Sequence, residues 1–312
     1  MTQSTLSENT VMNFLDTPEE RFGDLPNFDY EPHFVSLADG MRIHYVDVGP
    51  RDALTCLLLH GEPSWSFLYR KMIPILLSHG YRCVAPDLIG FGRSSKPTEQ
   101  ESYSYDAHIG WMSSFMSSVD MDRICLFAQD WGGLIGLRIV PLFESRFVGI
   151  AISNTGLPTG EQKPTKAFLD WQKFSQKVES FPFEFVMQGA TTSELDTATL
   201  AGYRAPFPDD RYTAGAKIFP ALVPTSVDSP GALDNKKVWK DCYSKWTKPF
   251  VTLFGDGDPV TKGGEAPWQK IVPGAKGQKH EIIKGGGHFI QEDCGPELAT
   301  ALHQFIIDNS LA

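Results

Sequence analysis

Ile124-Cys125-Leu126-Phe127-Ala128-Gln129-Asp130-Trp131-Gly132-Gly133-Leu134-Ile135-Gly136 reads as a strand, a sharp turn among small residues, and then a helix. Asp130 stands at the turn. A side chain displayed there needs little bulk two positions before and after it, and Ala128 and Gly132 provide that. Serine is the usual occupant of such a turn; here it is a carboxylate. Asp is also a favoured helix N-cap, and on this segment alone the capping and functional readings are close.

Outward from this segment, short apolar and β-branched runs recur at 41–48, 55–59, 82–86 and 148–153. Between them, 68–77, 105–119 and 134–143 show helical spacing of apolar residues. Strand alternating with helix predicts a mainly parallel, doubly wound sheet with helices on both faces. The pattern resumes with strands at 250–254 and 281–283 and a closing helix at 296–309. The stretch between, 157–229, holds no convincing strand and is rich in Phe, Trp and Pro. It is read as an inserted helical cap, with helices at 167–178 and 194–202, so that 1–156 and 230–312 form one core. Its aromatic residues include Phe168, Trp171, Phe174, Phe181, Phe183, Phe185, Tyr203, Phe207 and Tyr212. Some are expected to line a pocket beneath the cap, and most to be packing.

The chain has 312 residues, 41% of them hydrophobic, enough for one large domain with an insertion. Its 28 basic and 38 acidic residues give a net charge of −10, and no basic run could follow a phosphate backbone, which argues against nucleic acid as a partner. No apolar stretch approaches the roughly 20 residues of a membrane span. Residues 1–26 lack the cationic segment and apolar run of a cleaved signal. The five cysteines are odd in number and without Cys-x-x-Cys spacing, so reduced thiols in a soluble cytoplasmic protein are expected. The sequence leaves the oligomeric state open, with a monomer favoured. Histidines do not cluster with cysteines or carboxylates at metal-ligand spacing; neither metal nor cofactor is expected.

The strand, turn and helix around Asp130, set in this alternation, give the context of a nucleophile elbow in the α/β-hydrolase fold. A carboxylate, with an ordinary pKa of about 3.9, is an anion without help from a base. Attack by Asp130 on saturated carbon would form an alkyl ester, and water must then be activated to release it. His288, in Lys284-Gly285-Gly286-Gly287-His288-Phe289, is the strongest candidate base, since the fold places nucleophile, acid and histidine in that order. Between them, Leu253-Phe254-Gly255-Asp256-Gly257-Asp258-Pro259-Val260 offers two acids; a Gly-x-x-Asp arrangement favours Asp258 as the partner of the imidazole and leaves Asp256 as a turn residue. Leu57-Leu58-Leu59-His60-Gly61-Glu62-Pro63 ends a strand and begins the loop expected to supply one oxyanion donor, the backbone N–H of Glu62; the other is the N–H of Trp131. The Glu62 carboxylate could hold its loop or a water, or form an ion pair. Pro86 to Ser94 is read as a structural turn.

These residues resemble the haloalkane dehalogenases, in the subfamily whose catalytic acid follows the strand after the cap. The matching pieces are His60-Gly61-Glu62-Pro63-Ser64-Trp65-Ser66, Gln129-Asp130-Trp131-Gly132-Gly133, Gly255-Asp256-Gly257-Asp258, Gly287-His288-Phe289 and, in the cap, Ala205-Pro206-Phe207-Pro208-Asp209. The resemblance implies that two indole N–H groups hold the leaving halide, one from Trp131 and one from Trp171 on the first cap helix. An indole N–H suits a halide, which departs with its bonding electrons and needs no proton. The implied partners are a small halogenated aliphatic substrate, water and halide. Asn154, uncharged where another subfamily carries its acid, favours Asp258. An epoxide hydrolase would share Asp130, His288 and Asp258 but needs acidic donors, for which Tyr203 and Tyr212 are available; a fluoroacetate-type enzyme would need arginines after the nucleophile. A third reading is a non-catalytic binding protein retaining the fold as a ligand pocket.

Overall fold

The computed structural model describes residues 12–312, so the reading of 1–26 as free of a signal lies partly outside it. Strands β1 (His33–Ser36), β2 (Arg42–Val48), β3 (Thr55–Leu59), β4 (Arg82–Pro86), β5 (Ile124–Gln129), β6 (Phe147–Ser153), β7 (Phe250–Gly255) and β8 (Glu281–Ile283) form one eight-stranded sheet. Its order is β8-β7-β6-β5-β3-β4-β2-β1. Only β2 runs antiparallel to its neighbours; every other pair is parallel. β3 and β5 are buried along their whole length, as unbroken apolar runs at the middle of a two-faced sheet require.

The core helices are α1 (Ile73–Ser78), α2 (Tyr105–Ser118) and α3 (Trp131–Ile139), and beyond β6 the chain makes α4 (Lys166–Ser175), α5 (Phe183–Gly189), α6 (Thr197–Arg204), α7 (Ala214–Leu222) and α8 (Ala232–Asp241) before β7. The remaining helices are α9 (Ala266–Ile271) and α10 (Ile290–Asp308). Thr165 and Asp196 cap α4 and α6, accepting from the backbone N–H of Phe168 at 3.2 Å and Thr199 at 2.7 Å. No strand interrupts 157–229.

Differences from the expected elements trace to proline and glycine. The helix expected at 68–77 is a 3-10 segment, Ser66–Lys71, followed by α1, with Pro74 in the first turn where its missing N–H leaves no bond unmade. The expected 134–143 helix begins earlier, at Trp131, and its regular part ends at Ile139, two residues before Pro141. Gly132 and Gly133 are helical here because of what they pack against: a Cβ on Gly132 would stand 2.1 Å from the Leu59 carbonyl oxygen, and one on Gly133 2.0 Å from the Thr155 hydroxyl. α10 starts at Ile290, ahead of the expected 296, and is kinked at Cys294, just before Pro296. β1 has only four residues, half-buried at the sheet edge, and carries too little pattern to be read.

All five cysteines are free thiols; Cys83, Cys56 and Cys125 lie side by side in register on β4, β3 and β5. No helix among the described residues is long and apolar enough to cross a membrane. The consequence of the topology for function is positional. Because β3, β5, β6, β7 and β8 are parallel, their carboxyl ends share one edge, and Glu62, Asp130, Asn154, Asp258 and His288 all lie in the loops leaving it.

Candidate active site

Asp130 occupies the turn between β5 and α3 with φ 50° and ψ −127°, a left-handed conformation uncommon for a residue with a side chain. It stands at the N-cap position of α3 but its side chain caps nothing. Instead Oδ1 accepts the backbone N–H of Glu62 at 2.8 Å, and Oδ2 lies 3.4 Å from Nε2 of His288. Gly61 allows this approach, since a Cβ there would meet the Asp130 side chain at 2.4 Å. The backbone N–H of Trp131, the first of α3, has no partner among the described residues.

His288 Nδ1 lies 3.0 Å from Oδ2 of Asp258. Asp258 is buried, and its other contacts are the Val260 N–H at 2.8 Å and the Thr261 hydroxyl. Burial works against its charge, but the neighbouring imidazole and these donors outweigh it and hold the carboxyl below its ordinary value. Burial likewise disfavours the imidazolium of His288, and the Asp258 and Asp130 carboxylates overcome it, raising the imidazole well above its usual range. Asp256 is exposed and accepts the Gly285 N–H at 2.8 Å; it is a turn residue of the loop after β7, bonded to the loop that carries the histidine.

Above these groups lies a cavity of about 440 Å³ between the sheet edge and α4, α5 and α7. Asp130, Trp131, Glu62 and His288 form its floor, and Phe168, Trp171, Phe174, Phe185 and Val223 are among its walls. The remaining aromatics named from 157–229, Phe181, Phe183, Tyr203, Phe207 and Tyr212, are buried and do not reach it. The Tyr203 hydroxyl donates to Glu292 at 2.5 Å. Neither tyrosine is placed to protonate an epoxide oxygen. Among the described residues no Lys or Arg lines the cavity, while Glu62, Asp130 and Asp170 do.

Comparison with known proteins bears on the family and the fold. Residues 56–293 match the family model described as the alpha/beta hydrolase fold. The chain is 50% identical over 302 residues to a haloalkane dehalogenase of Psychrobacter cryohalolentis, covering 96% of this chain and 99% of that one. It is 43% identical over 295 residues to a haloalkane dehalogenase of Mycobacterium marinum, covering 93% and 99%. The chain belongs to the haloalkane dehalogenase family. Among solved structures, a haloalkane dehalogenase from Paraglaciecola agarilytica, described as tetrameric, superposes with a TM-score of 0.85 at 33% identity over 94% of this chain and 97% of that one.

In this family member Trp131 and Trp171 face one cavity from opposite sides, Trp131 from the elbow and Trp171 from α4. Trp131 is buried against Tyr105 and Phe219, with ring centroids 5.2 and 4.7 Å away. Trp171 is half-buried, 5.8 Å from Phe174 and 6.0 Å from Phe181. The indoles of Trp65 and Trp239 donate to backbone carbonyls, of Gly202 and Leu157. The Glu62 side chain is buried with Oε1 unpartnered among the described residues. Burial, followed by the charge of Asp130, raises its carboxyl well above the ordinary range, with His288 and Trp171 pulling the other way. In place of the ion pair considered for Glu62, no Lys or Arg lines the cavity beside it among the described residues, and its surroundings disfavour the charge of its carboxyl.

Three further residues hold the site, among them Asn154, which the sequence marked only for its lack of charge. Asn154, also at positive φ, donates from Nδ2 to the carbonyls of Gly287 at 2.8 Å and His288 at 3.1 Å and accepts the Gly255 N–H at 2.9 Å. Gln129 donates to the His288 carbonyl at 3.0 Å. The ends of β5, β6 and β7 are thereby tied to the histidine loop. His60 accepts the Leu88 N–H on Nε2 at 2.9 Å, which leaves Nδ1 to donate to the Gly61 carbonyl at 2.9 Å, and burial keeps the ring from charging. It fixes the turn that presents Glu62. The turn from Pro86 is equally structural: buried Asp87 accepts from His44 at 2.7 Å and from the N–H groups of Ser66 at 2.7 Å and Arg93 at 2.8 Å.

Proposed function

We propose that this chain hydrolyses the carbon–halogen bond of small haloalkanes through an ester on Asp130. Oδ1 is engaged by the Glu62 N–H, so Oδ2 is the attacking oxygen. As the new C–O bond forms, the C–X bond breaks and its electrons leave with the halide between the indole N–H groups of Trp131 and Trp171. Water placed by His288 then attacks the carboxyl carbon of the ester. His288 takes the water's proton, Asp258 stabilises the imidazolium, and the tetrahedral oxyanion is met by the N–H groups of Glu62 and Trp131. Collapse releases the alcohol, and halide and a proton complete the products. The segment 157–229 serves as the cap that closes the aromatic cavity. One chain supplies every residue assigned, so a monomer suffices.

The observation that carries this reading is Asp130 hydrogen-bonded to Glu62 and aligned with His288 and Asp258 beneath a cavity walled by two indoles. The aromatic walls favour a small apolar substrate, and the carboxylates, with no Lys or Arg among the described lining residues, disfavour a haloacid. Single turnover in oxygen-18 water is expected to place the label in the Asp130 carboxylate, read by mass spectrometry of the peptide containing it. Label only in the alcohol of the first turnover would mean direct attack by water. Parallel assays should show halide from 1,2-dibromoethane and no diol from styrene oxide.

The charge arrangement predicts a pH signature. The Asp130 carboxylate is one of the groups raising the His288 imidazole, and it loses its charge on alkylation. The acid limb of alkyl-enzyme hydrolysis should therefore lie at lower pH than the titration of His288 in the free enzyme followed by NMR. Coincident midpoints would remove the proposed electrostatic link between nucleophile and base.

A further inference from the structure

We propose that Asp293 is a positioning residue that fixes His288 relative to the cavity wall, and so governs hydrolysis of the ester more than its formation. The proposal rests on the reading of His288 as the base for an Asp130 ester.

Asp293 lies in the first turn of α10, five residues after the histidine. Its Oδ2 accepts the N–H of Gly287 at 2.8 Å, immediately before His288. Its Oδ1 accepts the N–H of Ser193 at 2.8 Å, and the N–H of Thr192 lies 3.1 Å from both oxygens. Three backbone donors from two separate loops thus converge on one carboxylate. The loops are drawn together elsewhere too: the Thr192 hydroxyl donates to the Gly285 carbonyl, and the Phe289 N–H lies 3.3 Å from the Ala190 carbonyl oxygen. Gly287 makes the approach possible, because a Cβ there would stand 2.8 Å from that oxygen and 2.9 Å from Oδ2 of Asp293.

These loops meet at the chemistry. Ala190, Thr191 and Thr192 wall the same cavity that Gly287 and His288 line. On its carbonyl side the histidine loop is held by Asn154 and Gln129, both from the sheet edge. On its amide side it is held by Asp293, which holds the cap segment equally. Any shift of the segment 190–193 is therefore transmitted to the residue beside the base.

A carboxylate is the side chain this requires. Its two oxygens offer about four acceptor sites, and hydrogen bonds to its charge are the stronger kind. An amide would keep one accepting oxygen and turn an N–H toward a backbone donor. Displacement depends on Asp130 and on donors from the Glu62, Trp131 and Trp171 segments, none of which Asp293 touches. Ester hydrolysis depends on where Nε2 of His288 holds a water, and a misplacement of about 1 Å can cost on the order of 100-fold.

The test is pre-steady-state halide release from 1,2-dibromoethane by the full-length Asp293→Asn enzyme, with mass spectrometry of the alkylated protein. A burst near one halide per site is expected, then steady turnover about 10- to 100-fold below wild type with ester accumulating. The acid limb of hydrolysis should move as well. Asp293→Glu keeps the charge and both acceptors and should fall between the two, which preserves the test if the amide variant folds poorly. Tyr203→Phe is the structural comparison: it cuts a cap-to-core hydrogen bond at the adjacent Glu292 without touching residues 285–289, and should leave the ratio of the two steps unchanged. Equal slowing of both steps by Asp293→Asn, or no ester accumulation in either Asp293 variant, overturns the proposal. His288→Phe separates the two levels of inference. If it traps ester while the Asp293 variants do not, the positioning role alone fails; if it traps none, the ester reading fails.

Discussion

His288→Phe is expected to release about one halide per active site and then stop, with steady turnover down by about 10³-fold or more. The first step needs an anion and donors for the leaving group. In the proposed mechanism Asp130 supplies the anion and the donors stand on other segments, so removing the imidazole should leave displacement in place. The second step needs a proton taken from water within reach of the ester, and Nε2 of His288 stands 3.4 Å from Oδ2 of Asp130. Burial disfavours the charged carboxylate of Glu62, the form in which it would act as a base. Intact-protein mass spectrometry should show the alkyl adduct, and peptide mapping should place it on Asp130. A variant that turns over slowly with no adduct would show that the imidazole assists the first step and that no ester is formed.

Asp130→Ala is expected to abolish both burst and turnover, with halide release lowered by about 10⁴-fold or more and no adduct. The contrast with His288→Phe carries the information, since both variants lack steady activity and only one retains the first chemical event. The double variant should be no worse than Asp130→Ala alone, because groups acting in sequence on one intermediate are not additive. The same substitution also tests the electrostatics. Removing the Asp130 charge takes away one cause of the raised His288 imidazole and one cause of the raised Glu62 carboxyl. Both groups should titrate at lower pH in the variant, as followed by NMR. An unchanged His288 would mean that Asp258 alone sets its protonation.

Much of this was legible in the chain because the information is local. Asp130 between Ala128 and Gly132, the glycines before His288, and the Gly-x-x-Asp ending at Asp258 are short patterns whose backbone demands can be read without knowing their neighbours. Parallel strands follow from the alternation of short apolar runs with helical spacing, and parallel strands place their following loops on one edge. The strands that were read lie within one residue of the observed bounds, since an apolar run in the middle of a sheet ends where its burial ends. β1 was missed for the converse reason, being short and half-buried.

What the tertiary structure alone decided depends on residues far apart in sequence. Which of the two acids meets the imidazole is a distance, 3.0 Å for Asp258, while Asp256 bonds the Gly285 N–H. Which cap aromatics reach the cavity is a matter of facing: Phe168, Trp171, Phe174 and Phe185 do, whereas Tyr203 spends its hydroxyl on Glu292, 89 positions away. The supports from Asn154, Gln129 and Asp293 are hydrogen bonds to backbone groups of the histidine loop, and backbone N–H and C=O groups are the same in every residue but proline. Sequence therefore determined that a carboxylate is displayed at the elbow, with a histidine and an acid to follow in order. Folding decided what each of them touches, because contact geometry is set by packing between elements and leaves no pattern along the chain.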